Sequence, residues 1–232
     1  MTFSLCHASK RLAPTTEHWW RSAAEAWLDR ACHPENIEHV LCLDPGDRDR
    51  IEGWPVFSRS RIVRNTASLP GAAEPWNCAA MSASGDVLIS LADDWHPCQA
   101  WDTELLDRIP DVTAEHAVWV RTAGDGPDPL MFFNIVTRPY FHRLIREHNY
   151  AGLFHPGYIG MLADNDFTLL TQKLDREQPG LLIQAQDLFF QHFHPEYGTA
   201  AWDDVYNSQH RVEAYNVGAA LLEKREANGF RD

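Results

Sequence analysis

The chain has 232 residues, 44% of them hydrophobic and 23% charged, an ordinary globular composition that excludes a disordered protein. A net charge of −13 works against a broad nucleic-acid-binding face, because phosphate recognition wants a basic surface. No apolar run approaches the roughly 20 residues of a membrane span. The opening "MTFSLCHASKR" puts its apolar stretch before its charges, the reverse of a signal peptide, so a soluble, cytoplasmic protein without stable membrane association is expected.

In chain order, "FSLCH" (3–7) reads as a buried strand. "PTTEHWWRSAAEAWLDRA" (14–31) follows as a helix, with a threonine N-cap and Trp20, Ala24, Trp27 and Ala31 at helical spacing. A second strand (37–44) ends at Asp44, and a short third strand covers 61–65. A Gly/Pro loop leads into a short helix from about Glu74, closed by Gly85. Residues 86–92, "DVLISLA", form a continuous apolar run, as expected of a central parallel strand covered on both faces. Residues 98–109 read as a helix. The first ~110 residues thus alternate strand and helix, the pattern of a doubly wound, mostly parallel sheet.

The second half is less regular. "HAVWVRT" (116–122) and "PLMFFNIVT" (129–137) read as strands, and "RPYFHRLIREHN" (138–149) as a helix. A glycine-containing entry leads to a helix starting near Asp164. Residues 181–198 hold one or two strands, and residues 202–229 a long C-terminal helix, continuous or broken once.

Five cysteines at wide spacings, with no CxxC pair, exclude a disulfide framework and a zinc knuckle and suggest reduced thiols. Two arginine clusters, Arg59/Arg61/Arg64 and Arg138/Arg143/Arg146, read as solvated faces or as local anion patches.

The chemistry gathers at the strand tips. In an open α/β sheet, ligands bind beyond the carboxyl ends of the strands. Here those ends carry "HASKR" (7–11), Asp44 and the pair Asp93–Asp94. Converging carboxylates are hard ligands that suit Mg²⁺ or Mn²⁺. The competing reading of Asp93–Asp94 is a helix cap before "WHPCQAWD". Further on, His192 and His194 sit two apart, so on a strand both point the same way, which makes them candidate metal ligands. Among the nine tryptophans, Trp95, Trp101 and Trp202 are candidates to stack on a ligand, and Trp95 lies beside the aspartates.

The order of these pieces, best carried by "NCAAMSASGDVLISLADD" (77–94), resembles the GT-A nucleotide-sugar glycosyltransferases, particularly the family-2-like group. The resemblance covers residues 2 to about 195. It implies an α/β fold with a Rossmann-like mixed sheet: one domain over residues 1–232, made of a nucleotide-sugar-binding half (1–110), an acceptor-binding half (111–200) and a C-terminal helical extension (201–232). It implies a nucleoside diphosphate sugar donor, a UDP-sugar above all. Asp44 would contact the base, with His7, Ala8 and Ser9 lining its pocket and Asn77 and Trp95 on the donor side. Asp93 would face the ribose or the metal, and Asp94 the metal, with a late histidine, His192 or His194. "MLADNDF" (161–167) resembles the family's second acidic motif, whose aspartate deprotonates the acceptor hydroxyl; Asp164 fits and Asp166 is the alternative. "PGYIG" (156–160) would form part of the acceptor wall.

The chain departs from the pattern twice. It has "ADD" in place of DxD, and Trp76 where many relatives have an arginine. A short soluble member also resembles bacteriophage enzymes, some of which glycosylate modified DNA bases, so a modified DNA base is one candidate acceptor, beside a saccharide or a protein. The alternative function is a metal-dependent phosphohydrolase or nucleotidyltransferase on a related sheet.

Overall fold

The computed structural model describes residues 1–12, 18–47, 51, 54–65, 71–122 and 128–231. Strand β1 (Phe3–Ala8) is buried up to its last residue. Helix α1 (Trp20–Asp29) carries it back across the sheet and buries Trp20, Ala23, Ala24 and Trp27, the spacing expected of one helical face. The threonine N-cap expected for this helix lies outside the described residues, and Ala31 falls past its last turn.

Strands β2 (Ile37–Leu43) and β3 (Arg59–Arg64) precede α2 (Ala73–Ser82). The helix ends before Gly85, which is no cap. A Cβ at Gly85 would lie 2.6 Å from the Ser4 hydroxyl and 2.9 Å from the Phe3 carbonyl carbon, so the glycine serves close passage over β1. Strand β4 (Val87–Leu91) is buried throughout. Then come the two-residue β5 (Trp95–His96), α3 (Trp101–Arg108), β6 (Ala117–Arg121), β7 (Ile135–Thr137) and α4 (Arg138–His148). The strand expected over 129–137 is confined to its last three residues. Before them, the Met131 amide is taken by the Thr168 hydroxyl at 2.9 Å.

Helix α5 (Ala163–Glu177), β8 (Leu182–Phe189), β9 (Gln191–His192), α6 (Asp204–Gln209) and α7 (Val212–Ala227) complete the chain. The C-terminal helix is therefore broken. Helix α7 lies against α5, closely enough that a Cβ on Gly218 would sit 2.5 Å from the Met161 carbonyl oxygen.

The main sheet runs β3-β2-β1-β4-β7-β6-β8. Its pairs are parallel except at β7, which is antiparallel to both β4 and β6. Parallel neighbours need crossovers, which α1 and α2 supply. One core layer holds Ala79, Leu144, Phe167 and Leu170; the other holds Trp20, Trp27, Trp101 and Phe133. Trp101 is wholly buried and packs on Phe3 and Trp27, so it cannot stack on a ligand. Among the described residues no helix is long and apolar enough to cross a membrane.

Candidate active site

Because β1 and β4 run parallel in register, with His7 opposite Leu91, their carboxyl ends open on the same edge. A cleft of about 1110 Å³ lies there, reached by Ser9, Asp93, Asp94, Trp95, Asp164 and His192, among others.

Asp93 and Asp94 occupy the turn between β4 and β5. Neither caps a helix, since the N-cap of α3 is Ala100. The Asp93 carboxylate is fully engaged. One oxygen lies 3.0 Å from His7 Nε2. The other accepts the backbone N–H groups of Lys10 and Arg11, at 3.3 and 3.2 Å. Asp93 thus fastens the 8–11 loop to the tip of β4. His7 is 0% exposed and lies behind the aspartate, its other nitrogen 3.0 Å from His39 Nε2. It cannot line a base pocket, because no part of its ring reaches the cleft.

Asp94 is held differently. Its Oδ2 accepts from the Tyr206 hydroxyl at 2.5 Å, and that hydroxyl is also 2.6 Å from the Phe193 carbonyl oxygen. One proton faces two acceptors, so Asp94 is only half-served. The β5–β9 pairing sets Trp95 opposite His192 and brings His192 Nε2 to 3.8 Å from Asp94 Oδ2. His192 Nδ1 is buried without a hydrogen-bond partner. Burial pushes the pKa of this imidazole down, which keeps it in the neutral, ligating form.

His194 lies past the strand, capping a short 3₁₀ turn, yet its ring centroid is 5.0 Å from that of His192. Its nitrogens are taken by the Glu196 amide and by His210 Nε2, at 3.3 and 3.2 Å. Burial lowers its pKa to about 4. A cation fits this corner on a restricted footing. Among the described residues there is no group of three or more ready ligands. Asp94 and His192 suit an ion that keeps most of its positions for a ligand's phosphate oxygens.

The second acidic motif divides its two carboxylates. Leu162 precedes α5 in a left-handed conformation, φ 68°, uncommon for a branched residue. Asp164, in the first helical turn, lines the cleft and takes one short-range bond, from the Asn165 amide at 3.0 Å. Burial pushes its carboxyl above the usual range. Asp166 points the opposite way and is 0% exposed. It pairs with Arg225 Nε at 2.7 Å and accepts from the Tyr150 and Tyr158 hydroxyls at 2.6 and 3.1 Å. It is sealed in the core and cannot meet an acceptor.

Asn77 is also structural in its contacts. Its amide nitrogen donates to the Phe154 carbonyl at 3.0 Å and its oxygen accepts the Phe154 N–H at 2.8 Å, and at 2% exposed it lies behind the cleft lining. Asp44, at the tip of β2, accepts from Asn65 at 2.7 Å and pairs with Lys10. Ala8 and Ser9 line the cleft, and the buried Ser9 hydroxyl has no partner. Trp95 stacks on Trp76, 5.5 Å between centroids at 19°, and both reach the cleft. Ile159 and Gly160 of "PGYIG" reach it too.

Sequence reading missed Arg11, Asp203 and Tyr206. Arg11 Nε binds Asp203 at 2.9 Å, its guanidinium lies 4.6 Å over the Tyr206 ring, and its Nη2 is buried and unpartnered. Tyr206 meets Asp94 from 112 positions away, a separation no local pattern signals. The arginine clusters are partly spent on structure. Arg61 pairs with Glu38, Arg138 binds the carbonyls of Gly85 and Ala83, and Arg143 pairs with Glu115 and Glu147.

No family model and no curated protein matches the chain. Solved structures do. Residues 1–349 of S. aureus TarS, in complex with UDP-GlcNAc, superpose with a TM-score of 0.57 and 11% identity, over 98% of this chain and 73% of that one. Glucosyl-3-phosphoglycerate synthase from Mycobacterium tuberculosis, in complex with Mn²⁺, UDP-glucose and phosphoglyceric acid, superposes with a TM-score of 0.60 and 14% identity, over 97% of this chain and 79% of that one. The same enzyme was solved with Mg²⁺ and UDP. At these identities the likeness is one of fold. The chain has the Rossmann-like mixed sheet of the GT-A glycosyltransferases.

Proposed function

We propose that the chain is a metal-dependent glycosyltransferase that moves a sugar from a nucleoside diphosphate sugar, a UDP-sugar by preference, to an acceptor hydroxyl. One observation carries this reading. At the carboxyl edge of a GT-A sheet, Asp94 and a neutral, half-unsatisfied His192 line one cleft with a partly buried carboxyl, Asp164.

The loop after β1 supplies the donor side. The unpartnered Ser9 hydroxyl and Arg11 Nη2 are free donors for ribose and phosphate oxygens. Lys10 and Asp44 hold the rim where the base would sit. Asp94 and His192 would hold Mn²⁺ or Mg²⁺, with His194 behind them. Such an ion, when bound, neutralises charge on the departing diphosphate.

Asp164 acts on the acceptor. A hydroxyl is a poor nucleophile, and a positioned carboxylate accepts its proton as it attacks the anomeric carbon. Burial raises the basicity of Asp164, which suits it to that transfer. A single in-line displacement inverts the anomeric configuration. Trp76 and Trp95 give the cleft an apolar wall that limits water, the competing acceptor.

Calorimetric titration with UDP, with and without Mn²⁺, tests the donor half. Binding that needs the metal and is lost in Asp94→Asn is the expected result. Absence of binding by UDP and every other nucleoside diphosphate sinks the reading and returns the site to metal-dependent hydrolysis.

A further inference from the structure

We propose that the acceptor is an uncharged saccharide, seated with the apolar face of a ring against Trp202, and that phosphorylated compounds and nucleic acids are excluded. This rests on the donor reading above and adds the acceptor class.

Two independent observations point the same way. The first is where apolar surface is left open. Of the seven large hydrophobic residues exposed among those described, five fall between residues 197 and 217: Tyr197, Trp202, Val212, Tyr215 and Val217. Tyr197 and Val217 line the cleft itself. Exposed apolar surface concentrated beside a cleft marks a binding face. Trp202 is its best-defined member: it stands just outside the cleft, against Tyr206 and His210, which line it. It is 51% exposed, yet its indole is braced nearly perpendicular to the Tyr206 and His210 rings, 6.2 and 5.4 Å away. A braced, open ring provides contact area at low entropic cost. A pyranose presents one apolar C–H face and a belt of hydroxyls, and it matches such a ring.

The second observation is charge. The lining holds Asp164, Glu196, Asp204 and Glu213, Glu196 lying 3.9 Å from His210 Nδ1, and among the described lining residues Arg211 is the one lysine or arginine in no ion pair. Lys10 and Arg11 also reach the cleft, but on the donor side, where they pair with Asp44 and Asp203. Carboxylates accept hydrogen bonds from sugar hydroxyls and repel phosphate. Asn165, Ser208 and Gln209 add neutral hydrogen-bonding groups between them. The net charge of −13 extends the same bias to the approach of a polyanion.

The test uses one preparation already titrated with UDP and Mn²⁺. UDP release from UDP-glucose and from UDP-GlcNAc is measured with methyl hexopyranosides and neutral oligosaccharides as acceptors. Hexose 6-phosphates and single-stranded DNA carrying hydroxymethylated bases are run beside them. Neutral acceptors should raise UDP release above the acceptor-free rate. They should exceed their 6-phosphates in kcat/KM by about tenfold or more. Trp202→Ala should raise the neutral acceptor's KM about tenfold, with a smaller change in kcat. Equal or better use of phosphorylated sugars or DNA overturns the proposal. So does a silent neutral panel in a protein that binds UDP, as a protein or lipid acceptor would give, and so does an unchanged KM in Trp202→Ala. Failure to bind UDP and Mn²⁺ at all is a different result and overturns the donor reading beneath it.

Discussion

The tip of β4 and the first turn of α5 present the same motif, two nearby aspartates, and treat it in the same way by different means. Each saturates one carboxylate with the protein's own donors and leaves the other under-served at the cleft. At β4 both aspartates reach the cleft, and Asp93 is satisfied by a histidine and two backbone amides. In α5 the helix itself divides the pair, since residues two apart lie about 200° around the axis. There the inward Asp166 needs a full counter-charge, Arg225, because no water reaches it. The contrast teaches that an acidic pair is not a unit of function. Whichever carboxylate is saturated by the protein's own donors is spent, and the one left under-served keeps its capacity for a ligand.

The comparison breaks most sharply at α5. Asp164→Asn should lower kcat by about 10²- to 10⁴-fold with UDP affinity and Tm unchanged, whereas Asp166→Asn should leave Arg225 buried and uncompensated and lower stability by about 3–5 kcal/mol, read by chemical denaturation. Should Asp164→Asn melt the protein while Asp166→Asn merely slows turnover, the assignment is reversed.

At β4 the saturated member can be released through its partner. His7→Ala strands one Asp93 oxygen without a donor and should cost about 1–3 kcal/mol. Because Asp93 also fastens the 8–11 loop, UDP affinity should fall too, while Mn²⁺ affinity in the absence of nucleotide stays close to wild type.

The smallest effects are in pH. The raised Asp164 pKa predicts that the acid limb of kcat/KM lies above the ordinary carboxylate value of about 3.9, and that this limb disappears in Asp164→Asn. Stability has its own acid limb. Burial holds His96 and His194 at about 4, below the value near 6.5 of an unfolded histidine. The unfolded chain therefore binds protons first. Stability is complete above about pH 6.5 and declines as the pH falls toward 4, a trend that a Tm series across that range checks.

Much of the architecture was legible in local pattern. The apolar run at 86–92, bounded by turn residues, marked the central strand, and the spacing of Trp20, Ala24 and Trp27 marked a buried helical face. Ladder hydrogen bonds and burial reward those periodicities wherever they occur. Local pattern failed where a long-range contact overrode it. Residues 129–134 are as apolar as a strand, yet side-chain hydroxyls take two of their amides, Thr168 that of Met131 and Ser90 that of Asn134. Gly85 follows a helix as a cap would, yet its lack of a side chain serves the passage over β1.

Sequence by itself determined the composition of the site: acids at strand tips, a second acidic pair ahead of a helix, and paired late histidines. These are statements about residue type and spacing, which a chain carries whether folded or not. Tertiary structure alone decided which of them keep open hydrogen-bonding capacity. It withdrew Asp93, Asp166, His7 and Asn77 into hydrogen bonds and brought Tyr206 and Arg11 to Asp94 and Asp203. Saturation of a polar group depends on every donor within about 3 Å, and those donors come from parts of the chain that only folding brings together.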